Sequence, residues 1–137
     1  MKVLLDTNII IDNLARRDEY AESLQILNLC EDGIIEGLVS TVTVMDVMYI
    51  MRKHMHLAEA KNAVQLLLQI VGIVPALKGD VNAALAGDFP DFEDAVQASC
   101  VVRIKADYII TRNTDDYKKS IVPAILPENF LLLMDAV

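Results

Sequence analysis

Short apolar runs separated by longer amphipathic stretches constrain the fold of this chain more than any other feature. The runs "KVLL", "GLVS", "GIVPA", "ADYIIT" and "VPAIL" have the length and composition of buried strands. Between them lie stretches of helical length, including "TVTVMDVMYIMRKHM", "LAEAKNAVQLLLQIV" and "DFEDAVQASCVVRIK". Strands that alternate with helices predict a parallel sheet with helices on both faces. We therefore expect an α/β fold, a three-layer α/β/α sandwich around about five parallel strands.

The length and the cysteine content of the chain indicate one intracellular domain. At 137 residues the chain suits a single domain over 1–137, and 54% hydrophobic residues give it enough material for a core. No uninterrupted apolar run is long enough to cross a membrane, and Asp6 interrupts the first apolar run before a signal-peptide core could form. Cys30 and Cys100 lack metal-site spacing. We expect reduced, buried thiols in a cytoplasmic protein without a membrane anchor.

The net charge of -8 argues against a general polyanion-binding protein. Binding to nucleic acid gains affinity when lysine and arginine release counterions from phosphates, and acids oppose it. The charge does not exclude a phosphate substrate if the acids gather around a divalent cation, because the cation reverses the local charge. The position of the acids along the chain therefore matters more than their number.

Polar groups occur where the predicted strands end and where helices begin. Asp6 follows the first strand, and Asp46 lies among apolar neighbours in "VTVMDVMYIM". A third group opens the helix before the fourth strand, and a fourth group follows that strand; together they comprise Asp91, Glu93, Asp94, Asn113, Asp115 and Asp116. In open α/β sheets, ligands bind beyond the carboxyl ends of the strands. This placement predicts a polar site at that edge of the sheet.

Each acid also has a plainer explanation. Asp6 is a good N-cap for the helix that follows it. Asp91 and Asp94 have capping-box spacing, and acids in a first helical turn are favoured by the helix dipole. Asp46 could follow a cap at Thr43 in the same way, although its apolar neighbours make that explanation weaker. Asp115 and Asp116 are ordinary turn residues.

Taken together, the acids suit a hard divalent cation such as Mg²⁺ or Mn²⁺, which could activate water and polarise a phosphodiester. The two histidines, His54 and His56, lie in "RKHMH" at the end of a predicted helix and are expected on the surface. No glycine-rich phosphate loop follows the first strand. A phosphatase with an aspartate nucleophile is a further alternative, but "DTN" lacks the second aspartate that such enzymes usually carry two residues on.

Four motifs in order resemble the PIN domain family: "LLDTNIIID", the acid after "VSTVTVM", "FEDAVQAS" and "ADYIITRNTDDY". The similarity runs from Lys2 to about Phe130, and "VPAILPENFL" resembles the end of many members. The resemblance implies a parallel sheet of about five strands and a metal-dependent ribonuclease. Such proteins are often the toxin of a bacterial toxin–antitoxin pair, which would make an antitoxin protein a partner beside the RNA substrate.

The resemblance also implies which residues would form the site. Asp6 and Asp94 match the first and third acids of the family. Asp46 matches the second, which is usually Glu, so its side chain is one methylene shorter. Asn113 stands where Asp is commoner and brings no charge. The remaining matches are Asp116 as a following acid, and Asn8 and Thr111 as polar positions that orient the acids.

Three basic residues and a row of methionines complete the sequence predictions. Arg112, Lys118 and Lys119 lie close to the site in sequence and could contact RNA, although ordinary solvated charge explains them equally well. Met45, Met48, Met51 and Met55 recur at helical spacing, which indicates core packing and leaves room for a homodimer or a partner along this helix. The Asp46 and Asn113 departures support an alternative, a PIN-fold interaction module with weak or lost nuclease activity.

Overall fold

The computed structural model describes residues 1–15 and 20–135. Within these residues the strands are β1 (Lys2–Leu5), β2 (Glu36–Ser40), β3 (Gly72–Val74), β4 (Tyr108–Ile110) and β5 (Ala124–Ile125). The helices are α1 (Thr7–Ala15), α2 (Tyr20–Glu31), α3 (Thr41–Met51), α4 (Leu57–Leu67), α5 (Lys78–Ala86), α6 (Phe92–Arg103) and α7 (Pro127–Asp135). A short 3₁₀ helix (Thr114–Tyr117) lies between β4 and β5.

The five strands form one parallel sheet in the order β3-β2-β1-β4-β5. The predicted α/β fold with about five parallel strands is confirmed. Along the chain, β2 pairs with β1 and β3 pairs with β2. The next strand, β4, pairs with the other side of β1, and β5 pairs with β4. Ligands of such sheets bind where the strand order reverses, beyond the carboxyl ends of the strands. In this sheet the order reverses between β1 and β4, and Asp6 directly follows β1 at its carboxyl end.

The alternation of β1 residues divides the core into two layers. Val3 and Leu5 face one layer and Leu4 faces the other, because successive side chains of a strand point to opposite faces. The first layer holds apolar side chains from α1, α2, α3, α4 and α7. The second holds side chains from α6 and from the segment that leads to β5. Helices thus cover both faces of the sheet, as a three-layer sandwich requires.

Helix ends account for most differences between the predicted and observed elements. The helix predicted through Met55 ends at Met51, with Arg52 as its C-cap, because α4 starts at Leu57 and the chain must turn between them. The helix predicted over "LAEAKNAVQLLLQIV" ends at Leu67. Part of the first predicted helix, Arg16 and Arg17, lies outside the described residues.

The methionine row does not occupy a single face of α3. Met51 is buried, Met48 and Met55 pack partly against the first core layer, and Met45 is 68% exposed. Each three-residue step on an α-helix falls about 60° short of a full turn, so the row drifts around the helix. Core packing is therefore confirmed for the later methionines, and Met45 points to solvent.

The predictions for the cysteines and histidines are confirmed. Cys30 and Cys100 are buried free thiols, and burial raises the pKa of each to about 11. His54 and His56 are exposed. In the described part of the chain, no helix has the length and apolar character needed to span a membrane.

Candidate functional site at the carboxyl end of the first strand

Asp6 lies at the junction of β1 and α1. Its backbone N–H donates to the Ile110 carbonyl at 3.0 Å, which continues the pairing of β1 with β4. Its Oδ1 accepts from the Thr7 N–H at 2.8 Å, at the start of α1. Asp6 therefore accepts a hydrogen bond from the first N–H of α1, and the same geometry leaves its carboxylate at the strand end where ligands bind.

Three donors hold the Asp6 carboxylate in place. Thr111 Oγ1, directly after β4, donates to Oδ2 at 2.8 Å. Gln97 Nε2, on α6, donates to Oδ1 at 3.1 Å beside the Thr7 N–H. Asp6 is only 7% exposed, and these bonds offset the cost of burying a carboxylate. Its position is thus fixed by β1, β4 and α6 together.

Gln97 connects Asp6 to the rest of the site. Its Oε1 accepts from Ser40 Oγ at 2.7 Å and from Thr43 Oγ1 at 2.9 Å. Its Nε2 donates to Tyr117 Oη at 2.8 Å as well as to Asp6. The sequence analysis did not identify Gln97, because it lies in the apolar run "AVQASCVV" and nothing local marks it as a site residue.

Asp94 lies in the first turn of α6. Its N–H donates to Oδ1 of the N-cap residue Asp91 at 3.0 Å, as the spacing of these acids suggested. Its own Oδ1 accepts from the Tyr117 hydroxyl at 3.0 Å. Tyr117 was also missed, since the motif "TRNTDDY" directs attention to its acids. The structure brings Asp94 and Asp6 to the same site through Tyr117 and Gln97.

Burial and neighbouring charge raise the pKa of the Asp94 carboxyl group. Burial and the charges of Asp6, Asp91 and Asp116 together raise its pKa to about 7, although the hydrogen bond from Tyr117 acts in the opposite direction. A carboxylate among other carboxylates resists ionisation because like charges repel. Asp94 and its acidic neighbours therefore form an electrostatic cluster.

Asp46 meets a residue that was not among the predicted site residues. A hydrogen bond with Asp46, burial and the charges of Asp46, Asp91 and Asp94 together raise the pKa of Glu93 to about 7. Glu93 adjoins Asp94 in sequence, which is the signal that could have identified it.

The fourth predicted group lies in the segment directly after β4. Asn113 is exposed, and its backbone N–H donates to Thr111 Oγ1 at 3.0 Å. Asp116 is half-buried in the 3₁₀ helix, and its charge reaches Asp94. Asn8 is half-buried in the first turn of α1. Thr111 thus links the Asn113 segment to Asp6.

The predicted RNA-contacting residues differ in their surroundings. Arg112 Nε lies 2.5 Å from Oδ2 of the buried Asp12, and its guanidinium also donates to Ser23, so it ties the segment after β4 to α1 and α2. Lys119 pairs with the exposed Asp88. Lys118 lies 3.6 Å from Asp115, and both side chains are largely exposed. Lys118 and Lys119 therefore lie on the surface, whereas Arg112 supports the fold.

The donors of the site suit a hard divalent cation. Carboxylate and amide oxygens are the ligands that Mg²⁺ and Mn²⁺ prefer. Burial raises the pKa of Asp94, and repulsion from neighbouring acids adds to it; a cation would relieve that repulsion. Among residues 1–15 and 20–135, no three acidic, histidine or cysteine side chains already form a group that could hold an ion. The chemistry of these donors therefore fits a cation, and binding one would require a third ligand to move toward the pair formed by Asp6 and Asp94.

The family comparison agrees with the resemblance seen in the sequence. A family model described as the PIN domain matches residues 2–115. No curated protein sequence matches the chain.

Solved structures show the same fold at low sequence identity. VapBC2 from Rickettsia felis, bound to a DNA fragment from its promoter, matches with a TM-score of 0.69 at 16% identity, over 92% of this chain and 98% of that one. A toxin–antitoxin complex from Klebsiella pneumoniae matches with a TM-score of 0.70 at 23% identity, over 91% and 97%. Mycobacterium tuberculosis VapC20, described as a Sarcin-Ricin loop cleaving toxin, matches with a TM-score of 0.62 at 11% identity, over 78% and 86%.

Proposed function

The chain belongs to the PIN domain family, and from this membership we propose that it is a metal-dependent endoribonuclease, the toxin of a toxin–antitoxin pair. Its fold is shared with proteins described as toxin–antitoxin complexes and with a toxin described as cleaving the Sarcin-Ricin loop. RNA is the proposed substrate, and the cytoplasm is the compartment where such a toxin would meet it.

One observation carries the proposal. The carboxylates of Asp6 and Asp94 are held at the carboxyl end of β1 by a shared hydrogen-bonded link, and burial together with negative neighbours raises the pKa of Asp94 to about 7. Concentrating like charges is unfavourable for the fold alone. Such a cluster is expected where a cation is to be bound.

Asp6, Asp46, Asp94 and Asn113 would hold Mg²⁺ or Mn²⁺, with Asp116 nearby. When bound, such a cation polarises a phosphodiester and neutralises charge that develops on its oxygens. The protein's own contribution is positioning: Thr111 and Gln97 fix Asp6, and Tyr117 fixes one oxygen of Asp94. Because proton and cation compete for Asp94, cation affinity should rise with pH.

Binding of RNA must overcome the net charge of -8. Lys118 and Lys119 follow the 3₁₀ helix, and their nearest acids are exposed, so a phosphate backbone can displace those contacts at little cost. Arg112 would act on RNA only indirectly, by holding the segment that carries Asn113. We therefore assign any direct phosphate contact to the two lysines.

Two protein partners accompany the proposed function. The structural relatives include toxin–antitoxin complexes, so we propose that a small antitoxin inhibits this protein. A gene for such a protein beside this one would support that proposal, and its absence would count against it. We also propose a homodimer through the exposed side of α3.

The alternative function is a PIN-fold interaction module that has lost strong catalysis. Two features favour it: Asp46 is a shorter acid than the usual Glu, and its carboxyl contacts Glu93; and Asn113 supplies no charge. Calorimetry with Mn²⁺ separates the two, because a module of this kind would give no binding heat at millimolar metal.

The decisive experiment is cleavage of RNA by purified, partner-free protein in the presence of Mn²⁺. Asp6→Asn keeps the size of the side chain and the hydrogen-bond acceptor for Thr7 but removes the charge. We expect it to lower the cleavage rate by roughly a hundredfold or more, the scale seen when one preorganised electrostatic group is lost. Asp32→Asn is the matched control: Asp32 is exposed in the turn before β2, at the opposite edge of the sheet.

Equal cleavage by the parent and Asp6→Asn would identify a contaminating nuclease and contradict the proposal. Absence of both Mn²⁺ binding heat and cleavage of structured or unstructured RNA would favour the interaction module. Loss of cleavage in Asp32→Asn as well would show that net charge, and not the site, controls the rate.

A further inference from the structure

Gln97 is a buried amide whose hydrogen-bonding capacity is fully used. It is 2% exposed, its Oε1 accepts two hydrogen bonds, and its Nε2 donates two. The two donors to Oε1, Ser40 and Thr43, lie at the end of β2 and in the first turn of α3. Burying an amide side chain costs free energy unless its polar atoms are hydrogen-bonded, and both polar atoms of Gln97 meet that condition.

The chemistry of the partners fixes the direction of every bond. The Asp6 carboxylate can only accept, so the NH₂ group of Gln97 must face it. The same NH₂ group donates to Tyr117 Oη, which therefore turns its own proton toward Asp94 Oδ1. Gln97 is therefore the first donor for both carboxylates. It donates directly to Asp6, and it donates to Tyr117, which in turn donates to Asp94.

We propose that Gln97 and Tyr117 are positioning residues that hold the Asp6 and Asp94 carboxylates at a fixed separation, so that the pair is already arranged for a cation. This inference rests on the proposed function, since it concerns the same site. One chain of hydrogen bonds reaches both carboxylates. Gln97 on α6 donates to Asp6, which follows β1, and to Tyr117 in the 3₁₀ helix, and Tyr117 donates to Asp94. Fixing the Asp94 side chain before binding reduces the ordering cost when a cation arrives.

The hydroxyl group of Tyr117 is not needed to fill the core. The ring of Tyr117 is buried in the second core layer with Val96 and Ile109. A Phe ring would occupy the same volume and avoid burying a hydroxyl. What the hydroxyl adds is the bond to Asp94 and an acceptor for Gln97. Its presence is therefore explained by the carboxylate that it holds.

The test is Tyr117→Phe, with Tyr108→Phe as a matched control. Tyr108 is a partly buried tyrosine whose ring meets Phe130 edge-on at 6.2 Å, away from the acids. We expect Tyr117→Phe to weaken Mn²⁺ binding by roughly tenfold or more, as is typical when the partner of a metal ligand is removed. Because the variant leaves one N–H of the buried Gln97 without an acceptor, its melting temperature should fall by a few degrees, and Tyr108→Phe should bind Mn²⁺ as the parent does.

Two further readouts separate positioning from general stability. In metal-free crystals, Asp94 should leave its parent rotamer in Tyr117→Phe and keep it in Tyr108→Phe. The RNA cleavage rate of Tyr117→Phe should recover at high Mn²⁺, because excess metal compensates for weaker binding.

The outcomes distinguish this inference from the proposed function. Unchanged Mn²⁺ affinity and an unchanged Asp94 rotamer in Tyr117→Phe would overturn the inference, even if the parent cleaves RNA. If the parent neither binds Mn²⁺ nor cleaves RNA, the proposed function fails, and the metal-free rotamer of Asp94 still decides the positioning role. Failure of Tyr117→Phe to fold would also overturn it, because the hydroxyl would then serve the fold.

Discussion

Asp6 and Asp94 show how differently one residue type behaves in two environments. Asp6 is the more buried, yet three donors compensate its charge. Asp94 is half-buried with one side-chain donor and has acids around it, so its charged form is disfavoured. For Asp94, burial and the neighbouring acids outweigh its single side-chain donor, so its charge strains the metal-free protein.

Asp94 should therefore lower the stability of the metal-free protein at neutral pH. Its folded-state pKa of about 7 exceeds the unfolded value of about 3.9, so the folded state binds the proton more tightly. Stability then falls as pH rises from about 4 to about 7, and the full cost applies above that range. After allowance for solvent screening, we expect Asp94→Asn to gain about 1–2 kcal/mol at pH 8 with chelator present.

Urea unfolding at pH 8 and pH 5 measures this gain, which should shrink at pH 5. Asp32→Asn, which removes an exposed acid outside the cluster, should show no comparable gain at either pH. A loss of stability in Asp94→Asn at pH 8 would show that Asp94 stabilises the fold and does not repel its neighbours.

The individual site residues were predictable to different degrees. Asp6 and Thr111 could be placed because each directly follows an apolar strand, and strand ends meet at one edge of a parallel sheet. Gln97 could not, because its bond to Asp6 joins residues 91 positions apart and no local pattern encodes it. Polar groups that are buried by tertiary structure leave no periodic signal.

At the scale of the element, α5 depends on a single buried acid. Asp80 accepts from the Leu77 N–H at the start of α5 and from Ser99 and Arg103 on α6. Burial raises its pKa, but these hydrogen bonds and that of the Cys100 thiol outweigh burial and lower the pKa to about 2. The charge of Asp80 thus joins a short helix to the long helix that carries Asp94.

Asp80→Ala should loosen α5 and destabilise the protein by about 2–4 kcal/mol, because it leaves several donors without their acceptor. The stabilising effect of Asp80 is present above its unfolded pKa of about 3.9 and is lost as pH falls toward 2. Urea unfolding at pH 7 measures the loss. Asp88→Ala is the control, since its salt bridge to Lys119 is exposed; an equal loss in both variants would contradict the role of burial.

The elements themselves were predicted better than their ends. Every strand run in the sequence became a strand, because short apolar segments have few alternatives in a buried sheet. The end of α3 was placed four residues too late, since the basic residues after Met51 suit a helix terminus as well as a turn. The 3₁₀ helix was not predicted, as "TRNTDD" contains typical turn residues.

At the scale of the whole molecule, the order of the strands in the sheet could not be derived from the sequence. Parallel neighbours are joined by crossovers of a dozen or more residues, so pairing partners share no local signal. The resemblance to a known family supplied the expected sheet, and the observed order places the strand ends of β1 and β4 together. The acid cluster follows from that order, because these strand ends carry Asp6 and Thr111.

The outer face of α3 supports the proposed homodimer. Met45 and Tyr49 are 68% and 67% exposed and lie one turn apart on the same side, with Lys53 Nζ 4.6 Å from the centre of the Tyr49 ring. Two large exposed apolar side chains on one helix face are typical of an interaction surface. In a two-fold dimer the same patch meets its copy, so a charge placed there enters the interface twice.

Met45→Glu should therefore convert the dimer to a monomer in sedimentation velocity experiments at micromolar concentration, without changing the far-UV circular dichroism spectrum. Leu132→Glu, at a 67% exposed position on α7, introduces the same charge elsewhere and should leave the dimer intact. A parent protein that is monomeric at high concentration would contradict self-association through this face, as would dissociation by Leu132→Glu alone. Because Asp46 follows Met45 on α3, a dimer through this face would lie beside the acidic site, so dissociation should also change access of RNA to that site.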